Sequence, residues 1–255
     1  MSAAYQMGEI SLKKIKRYKK ITRTPGEWVL DIVKVVFLAF VVVVTVYPFW
    51  NIFIISINDA TDAIRGGLYF LPRKLSLSSY AEILGRSTFL ASIKVSVART
   101  LIGTPLAVLV TAMLAYPLSK AELYGGKAIN KFIIFTMYFG GGMIPNYILM
   151  VSLGLRDTVA SFILPGMIST YYVILMRSFF LTLPRELEEA GEIDGLDKWG
   201  VFWRIAIPLS KPIIATMTLF YVVQYWNDWF DAFLYLDTTT KWPVAYYLRQ
   251  LISSA

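Results

Sequence analysis

The sequence predicts an all-α protein, a polytopic bundle of transmembrane helices. Of its 255 residues, 56% are hydrophobic and only 16% are charged, and the mean hydropathy is +0.57. A soluble domain averages about 25% charged residues, which it needs to cover its surface. Because this chain has too few charges to face water on all sides, much of it is expected to face lipid.

Five apolar stretches are long enough to span a bilayer, which takes about 20 predominantly apolar residues. The third stretch has no charged residue, and the second carries Lys94 and Arg99. Arg177 lies near the end of the fourth stretch, whereas Asp228 and Asp231 lie in the second half of the fifth. The predicted spans are 35–57, 91–118, 132–153, 159–183 and 213–236.

The N-terminal segment, 1–27, is basic and is expected to be cytoplasmic. The apolar run behind it has 23 residues and no small-residue cleavage site after it, which favours an uncleaved first span over a signal peptide. Cytoplasmic loops carry an excess of Lys and Arg, so the segment orients the chain with its N-terminus inside. The alternative explanation of the basic segment and of the net charge of +8 is an arm that binds nucleic acid. We favour the orientation signal and expect no nucleic-acid partner.

The distribution of basic residues supports this orientation. Alternating spans place the loops 119–131 and 184–212 inside and the segments 58–90, 154–158 and 237–255 outside. Together with the N-terminal segment, the inside regions hold fourteen Lys and Arg, against seven in the outside regions.

Several kinds of chemistry are excluded by composition. The chain has no Cys and no His, which removes disulfides, thiolate nucleophiles, histidine bases and the Cys/His sites of structural zinc. The run Gly125-Gly126-Lys127 lacks the spacing and the following Ser or Thr of a phosphate-binding loop. We therefore expect no catalytic residue, metal or cofactor in this chain, and any active transport needs a separate ATPase.

The longest polar segment on the inside, 184–212, has the signals of two short helices. A proline followed by three glutamates favours a helix start, and Gly195 lies where that helix should stop. Asp197 can cap a second helix, in which Trp199, Phe202 and Trp203 form an apolar stripe. The segment is predicted to be a helix, a glycine turn and a helix on the cytoplasmic face.

Within this segment lies a spaced motif. Glu189-Ala190-Gly191 is followed after three residues by Gly195, and after nine more by Ile205-Ala206-Ile207-Pro208. This resembles the EAA loop of binding-protein-dependent ABC importer permeases, whose pattern is Glu-Ala-Ala, three residues, Gly, nine residues, Ile-x-Leu-Pro. Gly191 replaces the second Ala and Ile207 replaces Leu.

The resemblance covers most of the chain, from about 30 to 248. The segments 175–187 and 225–235 resemble carbohydrate-uptake permeases related to the smaller permease of the maltose system. The segment 139–147, with 153–158 after it, is similar to the subgroup for oligosaccharides and polysaccharides, including aldouronate and alginate importers.

This resemblance implies the fold and the partners. It implies a type I ABC importer permease domain over 28–255, multi-pass in the bacterial cytoplasmic (inner) membrane. Family members usually have six spans, so five are visible here and the sixth is expected but absent. The implied partners are a sister permease, two copies of a cytoplasmic P-loop ATPase that bind ATP and Mg, an extracytoplasmic solute-binding protein, the carbohydrate substrate and membrane lipid.

The resemblance also implies how the EAA loop acts. Its first helix would insert into a cleft on the ATPase, with Glu189 making a polar contact and Gly195 allowing the turn. The exposed aromatic residues of the second helix would be buried by docking or would lie at the headgroup level. The implied coupling residues are Glu189, Ala190, Gly191, Asp194, Gly195, Ile205 and Pro208.

Polar residues within the spans are candidates for the substrate path, since a charge inside a bilayer is costly. Arg99 could meet an anionic substrate or pair with Asp228 or Asp231, and pairing is favoured. The aromatic and polar run of the fifth span suits a sugar ring, and equally suits interfacial anchoring. Gly140–Gly142 should break the third span, either next to a cavity or as a hinge. The candidates are Arg99, Asn146, Tyr147, Trp226, Asn227, Asp228, Trp229 and Asp231.

Three other functions stay open on the sequence. The EAA loop reports coupling to an ATPase and not cargo, so the solute need not be a sugar. A passive channel would not need a docking loop. An intramembrane enzyme would have to use Asp228 and Asp231, which share a helix face, and it would leave the EAA loop unexplained.

Overall fold

In the computed structural model of the protein, residues 25–254 are described; most of them are helical, and none of them lies in a β-strand. The predicted N-terminal segment, 1–27, lies outside the described residues apart from 25–27, which open the first helix. The α-helices are α1 (Pro25–Ser56), α2 (Ala60–Ala63), α3 (Ser78–Gly85), α4 (Ser87–Leu118), α5 (Gly126–Tyr138), α6 (Met143–Ser152), α7 (Thr170–Phe180), α8 (Arg185–Ile193), α9 (Lys198–Val201), α10 (Ile207–Leu209), α11 (Lys211–Asn227), α12 (Phe230–Tyr235) and α13 (Val244–Ser253). Shorter helical segments are the 3-10 turns Ala160–Phe162 and Thr239–Lys241 and the π-helical turn Phe202–Ala206.

The described residues divide into two compact units at the boundary between Tyr80 and Ala81. In the first unit, α1 contains an 18-residue stretch with a mean hydropathy of 2.7 and is exposed along most of its length, as expected of a span that faces lipid. The loop that follows is fixed by the buried Asn58. Its amide oxygen accepts from the backbone N–H of Lys74, and its amide nitrogen donates to the Asp62 carboxylate.

In the second unit, α4 is the central helix, and α7 and α11 pack against it. The hydroxyl groups of Thr111 and Tyr221 lie 2.7 Å apart across the contact between α4 and α11. The ring of Tyr225 fills the space that a side chain at Gly103 would take, because a Cβ there would come within 2.9 Å of the ring. Small residues on α4 thus allow large aromatic residues of α11 to pack closely.

The predicted third span, 132–153, is broken as its glycine run predicts. The direction of the helix axis changes by 111° between α5 and α6. Gly142 precedes α6 with φ +84°, a conformation that residues with a side chain rarely adopt.

The predicted fourth span, 159–183, contains a much shorter helix than its hydropathy suggests. α7 has 11 residues, which is about 16 Å of helix and about half of the hydrocarbon thickness. The chain before it is irregular around Pro165 and Gly166, and α11 satisfies the freed backbone groups. Gln224 donates to the carbonyl of Gly166, and the Tyr225 hydroxyl donates to that of Ile163. A hydropathy profile contains no information about these hydrogen bonds, which allow irregular backbone within a membrane-spanning segment.

The predicted fifth span, 213–236, is interrupted at Asp228 and Trp229, between α11 and α12. Among the described residues, α1 and α4 are each long and apolar enough to cross a membrane alone. The pair α5 and α6 passes the same criteria only as one bent span, and so does Lys198–Leu209 joined to α11 across an 81° bend.

Candidate functional site

The helix α8 begins and ends where local signals in the sequence place its limits. Pro184 precedes its first residue, and Glu186 and Glu188 lie in its first turn, where they complement the positive end of the helix dipole. Gly195 ends the turn after it with φ +86°. The Asp197 carboxylate then accepts from the N–H of Gly200 at 2.8 Å and caps α9.

One face of α8 is bound to the rest of the second unit. Glu188 forms an ion pair with Lys120, at the end of α4. Gly191 is buried because the Cδ1 atom of Ile205 occupies the space where a Cβ at Gly191 would be. Gly191 and Ile205, which both belong to the EAA pattern, are therefore in direct contact.

The opposite face of α8 is exposed and combines apolar and acidic residues. Glu186, Glu189, Ala190 and Ile193 follow one another at helical spacing, and the Ile193 side chain is 86% exposed. In the described part of the chain, neither Glu186 nor Glu189 has an ion pair. We call these four residues the outer stripe of α8.

Pro208 shapes the second half of the segment. It has no N–H to donate to the carbonyl of Arg204, and the preceding turn widens, so that the N–H of Ile207 bonds to the carbonyl of Phe202. This π-helical turn leads into the 81° bend at Ser210, whose N–H bonds to both Ala206 and Ile207 at 3.1 Å. The bend sets the helical stretch Lys198–Leu209, which includes α9, nearly perpendicular to α11.

The aromatic residues of this segment divide between core and surface. Phe202 is 3% exposed and packs on Tyr116 with ring centroids 5.1 Å apart. Trp199 and Trp203 are 57% and 48% exposed. A cavity of about 600 Å³ lies beside α8, with Lys120, Glu188 and Trp199 among its lining residues.

The opposite end of the second unit holds a buried ion pair. Arg99 is 1% exposed, and its Nη1 donates to the carbonyl of Asp228 at 2.9 Å. Its Nη2 pairs with the Asp228 carboxylate and lies 3.9 Å from that of Asp231. The guanidinium also lies over the rings of Phe162 and Tyr225, at 5.2 and 5.4 Å from their centroids. Of the two interactions that the sequence allowed for Arg99, the structure contains the ion pair.

We call Arg99, Asp228 and Asp231 the break cluster, because they stabilise the interruption between α11 and α12. The break leaves the carbonyl of Asp228 without a helical partner, and Arg99 provides one. The Asp228 carboxylate accepts from the N–H groups of Phe230 and Asp231, at 3.0 and 3.4 Å, at the start of α12. Arg99 is thus the hydrogen-bond partner of the Asp228 carbonyl and the ion-pair partner of the Asp228 carboxylate.

The break cluster lies far from α8. Arg99 precedes the end of α4 at Leu118 by about 28 Å of helix axis. This is close to the 30 Å thickness of the hydrocarbon core. If α8 lies at one membrane boundary, the break cluster lies near the other.

The remaining substrate-path candidates are spread over α6, α11 and the break. Trp226 and Asn227 are exposed at the end of α11, and the Asn227 amide donates to the carbonyl of Val223. Asn146 is exposed on α6, whereas Tyr147 stacks on Tyr235 of α12 with centroids 6.1 Å apart.

Trp229 is half-buried, and the guanidinium of Arg249 lies over its ring. No sequence signal predicts a role for Arg249, because it lies beyond the last predicted span and no pattern connects it to Trp229.

A second feature without a sequence signal is a clip between two loops at the same end. Asp157, which has φ +55°, accepts from the ammonium of Lys241 and from the hydroxyl and N–H of Thr238. These hydrogen bonds, with that of Lys241 the strongest, hold the pKa of the Asp157 carboxyl well below its usual value. The clip joins the loop before α7 to the segment before α13.

The contact between Gly191 and Ile205 leads to a prediction. Gly191→Val is expected to lower the stability of the purified protein by about 1–3 kcal/mol, because the new side chain overlaps the Ile205 Cδ1 atom. Thermal unfolding in detergent measures this loss. In the double variant Gly191→Val, Ile205→Ala the loss should be smaller than the sum of the two single losses. Additive losses would contradict the contact.

Comparison with known proteins agrees with the motif. Residues 16–236 match the family described as binding-protein-dependent transport system inner membrane component. Protein LplC of Bacillus subtilis (strain 168) is 43% identical over 225 residues, 88% of this chain and 76% of that protein. The polygalacturonan/rhamnogalacturonan transport system permease protein YtcP of the same organism is 37% identical over 216 residues, 85% of this chain and 76% of that protein.

A solved structure has the same fold. It is the crystal structure of a bacterial ABC transporter involved in the import of the acidic polysaccharide alginate, with a TM-score of 0.87 and 30% identity. The match covers 91% of this chain and 83% of that chain. The type I importer fold expected from the EAA loop is confirmed. This chain belongs to the family of binding-protein-dependent transport system inner membrane components, the permease subunits of ABC importers.

Proposed function

We propose that this permease subunit forms half of the translocation path for an acidic oligosaccharide or polysaccharide fragment, and that a separate ATPase drives it through α8. The observation that supports the coupling most strongly is the outer stripe of α8. Its Ile193 is 86% exposed on a helix whose other face is fixed by Glu188 and Gly191.

A partner that covers the outer stripe would bury apolar surface and pair the free carboxylate. Burying an exposed Ile side chain contributes about 1.5–3 kcal/mol. Glu189 would make the polar contact, and Ala190 beside it is short enough to let the partner approach closely. Asp194 and Gly195 turn the chain, and Ile205 and Pro208 connect α8 to α11.

The partner in this proposal is a cytoplasmic P-loop ATPase, present in two copies. The sequence of this chain contains no phosphate-binding loop, so ATP and Mg would be held by the ATPase. One copy would dock on this chain and the other on a sister permease. An extracytoplasmic solute-binding protein would deliver the substrate.

The proposal fixes the orientation in the bacterial cytoplasmic membrane. The ATPase is cytoplasmic, so α8 lies inside, and the N-terminus lies on the same side because the basic residues are more numerous there. The break cluster and the exposed Trp226 then lie near the outer boundary, where a delivered solute would enter.

The cargo is inferred from relatives and from the residues at that outer end. The names of two similar proteins refer to polygalacturonan and rhamnogalacturonan, and to arabinooligosaccharides, and the solved importer takes up alginate. Exposed Trp226 and half-buried Trp229 offer the aromatic faces on which sugar rings stack. Asp228 pairs with Arg99, and in the proposed function the two aspartates do not act as a catalytic dyad.

The test is co-purification of the tagged chain, expressed from its native operon, followed by mass spectrometry of everything that remains bound. The proposal predicts one sister permease and two ATPase copies for each copy of this chain. Recovery of the chain without any P-loop ATPase, in several mild detergents, would contradict it.

A further inference from the structure

We propose that Arg249, held on the ring of Trp229, binds the carboxylate of an acidic sugar as it enters the outer end of the translocation path. The inference rests on the proposed function, and it names the residue at this end that recognises the charge of the substrate. No sequence motif includes Arg249.

The geometry leaves the hydrogen-bond donors of Arg249 free. The guanidinium carbon lies 3.6 Å from the centroid of the Trp229 ring. Arg249 is exposed, and within the described residues it forms no ion pair or hydrogen bond. A guanidinium that lies on an aromatic face keeps its five N–H groups available, and two of them match the oxygens of a carboxylate.

The helix that carries Arg249 is firmly held, so the side chain is positioned before a substrate arrives. At the start of α13, the N–H of Val244 donates to Ser96 on α4 at 2.8 Å. Tyr246 is 6% exposed and packs edge-on against Trp242 with centroids 4.7 Å apart. A cation that is already ordered loses less conformational entropy on binding.

Arg99 cannot perform this function in the same structure. It is 1% exposed, and its two Nη atoms are engaged by the carbonyl and the carboxylate of Asp228. A substrate carboxylate could reach it only by separating that buried pair. Arg249, by contrast, is exposed beside the break, where an incoming anion can reach it.

The surroundings of Arg249 suit a sugar that carries a charge. Phe230 and Phe233, at 41% and 53% exposure, lie against Trp229 and offer apolar faces to the C–H groups of a sugar ring. On its other side, Arg249 borders an open depression lined also by Leu248 and Ile252.

The position of α13 places this subsite outside the hydrocarbon core. α13 packs beside the first ten residues of α4, through Val244 against Ser96 and Tyr247 against Thr88. These residues precede Arg99, which already lies about 28 Å from the other end of α4. Arg249 is therefore accessible from the aqueous side.

The test is uptake by the importer reconstituted with its ATPase, sister permease and solute-binding protein. The probes are trigalacturonate and its methyl ester, which has the same sugar rings without the charge. Arg249→Gln is expected to raise the KM for trigalacturonate on the order of 10-fold and to leave the KM for the ester unchanged. Arg249→Lys should recover only part of the loss, because an ammonium lacks the planar fork. The control is Arg156→Gln, which removes an exposed arginine that is paired with Asp237.

Each other outcome has a distinct meaning. Equal losses for acid and ester would overturn the subsite and assign Arg249 a structural role. A loss that follows the fraction of anionic lipid in the vesicles would overturn it in favour of a phosphate headgroup on Arg249. Normal discrimination in Arg249→Gln would overturn the subsite alone. Uptake of neither probe by the parent importer, with its ATPase bound and active, would overturn the cargo assignment as well.

Discussion

Arg99→Met is expected to cause the largest loss of stability of any single substitution considered for this chain. The change leaves the Asp228 carboxylate and its carbonyl without their buried partner, next to the break between α11 and α12. Removing one member of a buried ion pair costs about 3–5 kcal/mol, because the other charge stays desolvated. The measurement is thermal unfolding of the purified chain, together with the yield of protein inserted in the membrane.

Two further variants separate the break cluster from a general effect of removing arginine. Arg156→Met breaks an ion pair in which both side chains are about half exposed, and it should cost less than about 1 kcal/mol. The double variant Arg99→Met, Asp228→Asn removes the unpaired charge and should recover part of the loss. If Arg99→Met and Arg156→Met had equal effects, the break cluster would have no special structural role.

Ile193→Asp is expected to abolish coupling while leaving the chain folded. Ile193 is 86% exposed, so little of it packs against the described residues, and the thermal unfolding temperature should stay nearly unchanged. In the proposed complex the same side chain is buried against the ATPase, where a charge without a partner is strongly unfavourable. ATP-driven uptake should fall by more than about 10-fold, and the ATPase should be lost on purification.

Ile64→Asp provides a matched control, since Ile64 is 87% exposed in the loop after α1, remote in sequence from α8. This variant should keep the ATPase and transport at the parent rate. Parent-like coupling in Ile193→Asp would contradict the role of the outer stripe, and so would an equal loss in both variants.

The features that the sequence predicted depend on local signals. The limits of α8 follow from a proline, an acidic first turn and Gly195, each of which acts within a few residues. The break between α5 and α6 follows from a run of three glycines. Composition and hydropathy were sufficient for the membrane class, because they are sums that do not depend on which residues touch.

The features that the sequence did not predict depend on distant partners. Arg99 and Asp228 are 129 residues apart. The sequence therefore allowed Arg99 either to meet an anionic substrate or to pair with an aspartate, and only the fold shows that it pairs. Arg249 meets Trp229 through the packing of α13, which lies beyond the last predicted span. The fourth span is shorter than its hydropathy suggests because Gln224 satisfies backbone groups that an unbroken helix would pair internally.

We propose that this permease moves an acidic oligosaccharide and that a separate ATPase drives the movement. The most direct measurement is uptake of labelled trigalacturonate by vesicles that contain the reconstituted importer, with ATP on the side of α8 and the solute-binding protein on the other. We expect accumulation that requires ATP hydrolysis and the binding protein, and that is lost in Ile193→Asp. Equal entry of the sugar with and without ATP would contradict it and indicate a passive channel.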